Sequence, residues 1–247
     1  MPKITVATMT WAHNPSESDL LAASIESLTH SELPIVIADG GSIEGFTDRL
    51  RACPHVSTVM PRLGPGRLVG QIEAAMAGAA KQQPDYVLYT EPDKQWFFTE
   101  RLAGFLAAAE RQAGAGVILA SRDAASFATF PAGQQLTESL FNRLAADALG
   151  VTGDTLYGPM LVRTDVVEQI TDLHEDIGWG WRPYLMAVTL RLGNSLVCVE
   201  GDFQCPEHQR GENESATRIY RMEQLAQNVR GLAQGLKMDI SHPLFHI

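Results

Sequence analysis

Short apolar, β-branched runs alternate with stretches of helical periodicity through the first half of the chain. Residues 4–8, 35–38, 56–60, 86–90 and 117–120 predict strands. After the first of them, Ser16 and Asp19 have capping-box spacing, and Leu21, Ile25 and Leu28 recur on one helical face. Gly64-Pro65-Gly66 breaks the chain, and Val69, Ile72, Met76 and Ala79/Ala80 follow at helical spacing until Pro84. A glycine-rich loop therefore opens directly onto a helix. Strands that alternate with helices predict a largely parallel sheet covered on its faces. Beyond residue 121 the pattern loosens into an irregular stretch over 122–133, a helix over 136–149, a strand over 160–162, a helix over 184–192 and a last strand over 196–199. Residues 214–236 predict an amphipathic helix with Ile219, Met222, Leu225, Val229 and Leu232 on one stripe, packed on the body or on a second subunit. No internal repeat or linker divides the chain into independent domains.

Composition narrows the function classes. With 247 residues, 45% hydrophobic and 19% charged, the chain is long enough for one α/β domain with a substantial core. Nineteen Lys and Arg against 29 Asp and Glu give a formal charge of -10, which argues against nucleic acid as a partner and leaves room only for a local basic pocket. Cys53, Cys198 and Cys205 form neither a CxxC pair nor a disulfide framework, which predicts a reducing compartment. There is no signal-peptide pattern, and no apolar run approaches the roughly 20 residues that span a bilayer. The expectation is a cytoplasmic protein without a transmembrane segment.

The chemistry concentrates at two strand ends. Tyr86-Val87-Leu88-Tyr89-Thr90 runs into Glu91-Pro92-Asp93-Lys94, two carboxylates one residue apart where an α/β sheet binds ligands. Hard oxygen ligands there suit Mg²⁺ or Mn²⁺ bridging a diphosphate. Ile35-Val36-Ile37-Ala38 runs into Asp39-Gly40-Gly41-Ser42, an acid able to accept hydrogen bonds from a ribose or a base, followed by glycines that let backbone come close. Each motif alone is also an ordinary surface turn, so their pairing carries the argument.

In this order, the first strand into Thr8-Met9-Thr10, then Asp39-Gly40-Gly41-Ser42, then Glu91-Pro92-Asp93, the sequence resembles the nucleotide-sugar-dependent glycosyltransferases of the GT-A fold, family 2 in particular. The resemblance runs from about residue 3 to residue 210. It implies a single Rossmann-like α/β domain over 1–212 with a mostly parallel sheet, and a C-terminal helical extension over 213–247. It implies a nucleoside-diphosphate sugar donor held by Thr8, Thr10, Asp39, Ser42, Arg67 and Glu91, with Arg67 neutralising a phosphate at a helix N-terminus. Asp93 is implied as a ligand of Mg²⁺ or Mn²⁺, with His208 as the late histidine that many members add. The predicted activity is transfer of a sugar from the donor to a hydroxyl acceptor.

Two departures shape the remaining expectations. The family's usual acidic base falls nearest Trp179-Gly180-Trp181-Arg182-Pro183, so Asp176, a few residues earlier, is the candidate general base. Glu91 stands where the family has an aspartate. Trp179, Trp181 and Arg182 predict an acceptor side with aromatic faces for a sugar and a cation for an acid, hence a soluble small-molecule or saccharide acceptor, such as glycerate or a phosphorylated metabolite. The terminal helix offers a surface for a homodimer. The missing base register also admits a non-catalytic nucleotide-sugar-binding protein. A sugar-phosphate nucleotidylyltransferase fits less well, because Thr10-Trp11-Ala12-His13-Asn14-Pro15 stands where that class places a glycine- and arginine-bearing loop.

Overall fold

The structure is a computed structural model that describes residues 2–61, 68–168, 173, 175–211 and 215–236. Its first half alternates as expected: β1 (Ile4–Thr10), α1 (Pro15–Thr29), β2 (Ile35–Asp39), α2 (Phe46–Arg51), β3 (Val56–Pro61), α3 (Leu68–Ala80) and β4 (Tyr86–Tyr89). There follow α4 (Gln95–Glu100), α5 (Leu102–Glu110), β5 (Val117–Arg122), α6 (Ala124–Phe127), α7 (Ala132–Leu149), β6 (Met160–Arg163) and α8 (Thr164–Val167). A 3₁₀ segment (Glu175–Gly180), α9 (Trp181–Arg191), β7 (Leu196–Gly201), a 3₁₀ turn (Glu207–Gln209) and α10 (Ser215–Gly235) complete it.

The strands form one sheet in the order β3-β2-β1-β4-β6-β5-β7. Every pairing is parallel except those of β6, which runs antiparallel between β4 and β5. The chain builds outward from β1 through β2 to β3, then crosses back to place β4 on the other side of β1. The crevice at the carboxyl ends of β1 and β4 is therefore the switch point at which such sheets bind ligands. One face of the sheet is covered by α3, α7 and α9, whose Ile72, Met76, Phe141, Trp181 and Leu185 are fully buried. The other is covered by α1, α2, α4 and α5 through Ile25, Leu28, Phe46, Phe97 and Phe105.

Three expectations shift on contact with the structure. The box that opens α1 is Asn14 with Glu17, not Ser16 with Asp19: Asn14 Oδ1 accepts from the Glu17 N–H at 2.9 Å, and the Glu17 carboxylate accepts from the His13 N–H at 2.8 Å. Pro15 decides this, because it forces its predecessor into the extended conformation of an N-cap and lacks the N–H that the first helical residue leaves unused. The stretch 122–133 is more ordered than its composition suggests, with β5 reaching Arg122, α6 within it and α7 starting at Ala132. Finally, α10 turns a different face inward. Ile219, Met222 and Val229 are exposed, and the buried side is Asn228, Gly231, Leu232 and Gly235.

That face explains where the helix sits. A Cβ on Gly231 would overlap the carbonyl oxygen of Gly180, and one on Gly180 would overlap that of Gln227, so α10 packs backbone to backbone on the end of the 3₁₀ segment. The helix also lies on α7 and α9. Over its described residues α10 is thus packed on the body of the same chain.

Candidate functional site

Asp39 closes β2 beside Thr10, its register partner on β1. Its Oδ2 accepts from the Thr10 hydroxyl at 2.9 Å and from the Ser42 hydroxyl at 2.6 Å, while Oδ1 accepts from the Gly41 and Ser42 N–H groups at 3.0 and 2.9 Å. Ser42 Oγ in turn accepts from the Ala12 N–H at 2.7 Å. These four bonds use the whole acceptor capacity of a carboxylate. Asp39 therefore folds the Gly40-Gly41-Ser42 loop, with its acceptor sites engaged by Thr10, Gly41 and Ser42. Thr8 is likewise scaffolding, fully buried with its hydroxyl donating to the Thr90 carbonyl at 2.9 Å. Gln71 on α3, which sequence reading passed over, ties the two strand ends together by donating to the carbonyls of Thr10 at 3.1 Å and Ala38 at 3.4 Å.

The acidic turn after β4 opens into a cavity of about 600 Å³, walled by Glu91, Asp93, Tyr157, Trp179, Arg182 and Asn228 among others. Asp93 is exposed at its mouth and also borders a second cavity of about 520 Å³. Gln209 lines both cavities with Asp93, so the turn that carries His208 borders the same space. The side chains of His208 and Asp176 lie outside the described residues, as does the whole of Arg67 with Gly64-Pro65-Gly66. Among the described residues no group of three or more His, Cys, Asp or Glu side chains is placed to hold a metal alone.

Glu91 is buried and faces Arg182, with Oε1 3.0 Å from Nη1. Its Oε2 has no hydrogen-bond partner among the described residues and lies against Gly158, where a Cβ would overlap it. Gly158 also has φ +127, so this position is closed to other residues on both counts. Tyr89, one strand position before the turn, is fully buried, and its phenol is pushed well above its ordinary pKa by burial and by the Glu91 charge.

The aromatic pair divides. Trp179 lines the cavity, donates its indole N–H to the Tyr220 hydroxyl at 3.0 Å and lies under the Arg182 guanidinium at 5.3 Å. Trp181 is fully buried, edge-on to Tyr89 at 4.6 Å, and has no surface from which to touch an acceptor. Its assignment to the acceptor side is corrected to a core residue.

Arg122 lies beneath the cavity wall. Its side chain is fully buried, bonded to Asp154 at 2.5 and 2.9 Å and to Glu138 at 2.5 Å, and packed at 4.2 Å from the Phe130 ring and 5.8 Å from that of Tyr157. Burial opposes its charge, but Glu138 and Asp154 outweigh that and raise its pKa further. For Asp154, burial acts upward and the Arg122 charge and hydrogen bonds overturn it, holding the carboxyl below its ordinary value. The cluster fixes the cavity wall from beneath.

No family model matches the chain, and no curated protein matches it in sequence. Solved structures do match in shape. Glucosyl-3-phosphoglycerate synthase from Mycobacterium tuberculosis, in complex with Mn²⁺, uridine diphosphate and phosphoglyceric acid, is 15% identical with a TM-score of 0.64, over 95% of this chain and 78% of that one. The same enzyme with Mg²⁺ and uridine diphosphate gives 14% identity and a TM-score of 0.61, over 96% and 80% of the two chains. A crystal structure of a mycobacterial protein gives 15% and 0.67, over 97% and 76%. At this identity the likeness is one of architecture: the mixed seven-stranded sheet, its flanking helices and its switch-point crevice are those of the GT-A fold.

Proposed function

We propose that the chain is a nucleotide-sugar-dependent glycosyltransferase that moves a sugar from a nucleoside-diphosphate donor to a hydroxyl acceptor. The observation that carries the reading is the Glu91-Pro92-Asp93 turn, which ends a parallel strand at the switch point and opens into a cavity large enough for a donor's sugar and an acceptor. The solved neighbours with this fold hold uridine diphosphate with Mn²⁺ or Mg²⁺. An exposed Asp93, the unpartnered Oε2 of Glu91 and the adjoining His208 turn fit such a cation, with diphosphate and water completing its shell. When bound, the cation offsets charge developing on the leaving diphosphate. The loop ordered by Asp39 and Ser42 bounds the nucleoside side, and Arg67, directly before α3, is assigned to the diphosphate. Asp176 is assigned as the base that takes the acceptor hydroxyl's proton.

One observation favours a second, non-catalytic reading. Of the described carboxylates on the cavity, Glu91 faces Arg182 through Oε1 and Glu138 is bonded to Arg122, so only Asp93 is without a charged partner. Melting curves with nucleoside diphosphates and nucleotide sugars, with and without Mn²⁺, test the site, and donor turnover separates the two readings. At a hundred times Kd a ligand of the folded state adds about 2.7 kcal/mol, or roughly 5–10 °C for a chain of this size. The rise should require the metal and be lost in Asp93→Ala. Absence of a shift with every nucleotide at millimolar concentration would overturn the donor site.

A further inference from the structure

The cavity's balance of charge and hydrogen-bonding groups bears on which acceptor it takes. Among the described residues three cations line it, Lys94, Arg182 and Arg221, against three carboxylates, Glu91, Asp93 and Glu138, so the described wall carries no surplus of positive charge for an anionic acceptor. Arg182, the side chain best placed to read an acid, stands 3.0 Å from Glu91. Much of the rest of the wall is carboxamide, with Gln134, Gln209, Gln224 and Asn228, beside the rings of Trp179 and Tyr157.

Asn228 is the informative member. It projects from α10, is only 6% exposed, lines the cavity, and its Oδ1 has no hydrogen-bond partner among the described residues. Across the same cavity, Arg182 is 7% exposed; its Nη1 faces Glu91 Oε1 at 3.0 Å, and its Nε lacks a hydrogen-bond partner among the described residues. A buried acceptor and a buried donor left open in one space are costly unless a ligand completes both. A carboxylate or phosphate group only accepts, so Asn228 Oδ1 can be completed only by a hydroxyl of the acceptor, whether or not the molecule also carries an acid. A hydroxyl donates and accepts.

We propose that the acceptor is an uncharged polyhydroxylated compound, a sugar or a polyol, and that Asn228 of the C-terminal helix accepts a hydrogen bond from one of its hydroxyls. The proposal rests on the transferase reading above and departs from the phosphoglyceric acid bound by the solved neighbour. The faces of Trp179 and Tyr157 suit the C–H surface of such a molecule.

The test uses the full chain with Mn²⁺ and whichever donor gives the largest thermal shift, so that donor binding is established before any acceptor is added. Nucleoside diphosphate release is then measured with glucose, mannose, methyl glucoside, sucrose, glycerol and mannitol, and in parallel with glycerate and 3-phosphoglycerate at equal concentration. A neutral compound should stimulate release above every acid, and the sugars and polyols within the set separate the two sources of hydroxyls. Asn228→Ala should raise KM for that compound about tenfold, the worth of one hydrogen bond. Asn228→Asp, which keeps an oxygen at that position, should recover part of the loss for the neutral acceptor and none for the acids. Greater stimulation by an acid, stimulation by none of the neutral set, or an unchanged KM in a folded Asn228→Ala protein would each overturn the proposal. Failure of every donor to shift the melting curve would instead strike the transferase reading on which it stands.

Discussion

Replacing Arg122 by methionine should cost more stability than any single change on the surface, and its cost should depend on pH in a characteristic way. The guanidinium is fully buried and holds two carboxylates, Asp154 through two bonds at 2.5 and 2.9 Å and Glu138 through one at 2.5 Å. Methionine fills much of the volume but leaves both acids buried without their cation. Breaking one side of a buried ion pair costs about 3–5 kcal/mol. At 2–4 °C per kcal/mol for a chain of this size, the melting temperature at pH 7.5 should fall by roughly 6–20 °C. The sign of the pH dependence follows from Asp154. In the wild type its carboxyl is held below the ordinary range, so it contributes stability that is complete above about pH 4 and is lost as pH falls through its folded value. Without Arg122 the same burial drives the Asp154 carboxyl upward, and the variant takes up a proton on acidification. Each pH unit over which one acid is protonated in the folded variant but not in its unfolded chain should shrink the deficit by about 1.4 kcal/mol. Urea unfolding of both proteins at pH 7.5 and pH 5.5 reads the difference directly. A deficit under about 1 kcal/mol, or one identical at the two pH values, would refute the assignment. Arg122→Lys keeps the charge without the planar fork and should recover only part of the loss.

Other perturbations separate packing from binding. Gly231→Ala drives a methyl group into the Gly180 carbonyl and should cost about 1–3 kcal/mol, whereas Gly133→Ala, open at Cβ in the first turn of α7, should be neutral or stabilising by up to about 1 kcal/mol; calorimetry on the two variants checks the contrast. Trp181→Ala should lose about 3–5 kcal/mol, since the ring is fully buried against Tyr89, while Trp179→Ala should melt close to wild type and show its effect as a raised acceptor KM. Equal losses of stability from the two tryptophans would contradict the division drawn between them.

Much of the architecture was legible because the sheet is written in local pattern. All seven strands lie within two residues of the runs that predicted them, because most of their positions are apolar and buried in the sheet, while β1, β5 and β7 run two residues further, to Thr10, Arg122 and Gly201. The antiparallel direction of β6 was not legible, because Met160-Leu161-Val162 looks the same whichever way it is threaded. Strand ends also pointed to the acidic turn at Glu91-Pro92-Asp93. What pattern could not supply was which acids are already spent. Asp39 and Glu91 look alike as exposed carboxylates after apolar strands, yet one is saturated by its own loop and the other faces a residue 91 positions away.

The same limit applies to the inward face of α10. A hydrophobic stripe on α10 was the natural guide to its buried face, and it held for Leu225 and Leu232 but not for Ile219, Met222 and Val229, because glycines share that face. Gly231 and Gly235 earn contact by having no side chain, bringing backbone onto Gly180 and onto Tyr184 of α9. Close approach of this kind leaves no apolar signature, and it rotates Leu232 and Asn228 inward while Met222 and Val229 face outward. The consequence is functional as well as structural. Because the helix is held by main-chain contact, the side chains on its cavity flank, Tyr220, Gln224 and Asn228, are released from packing duty, and they form one wall of the space into which Asp93 opens. A C-terminal segment that looked like an accessory to the domain thereby supplies one wall of the cavity at the acidic turn.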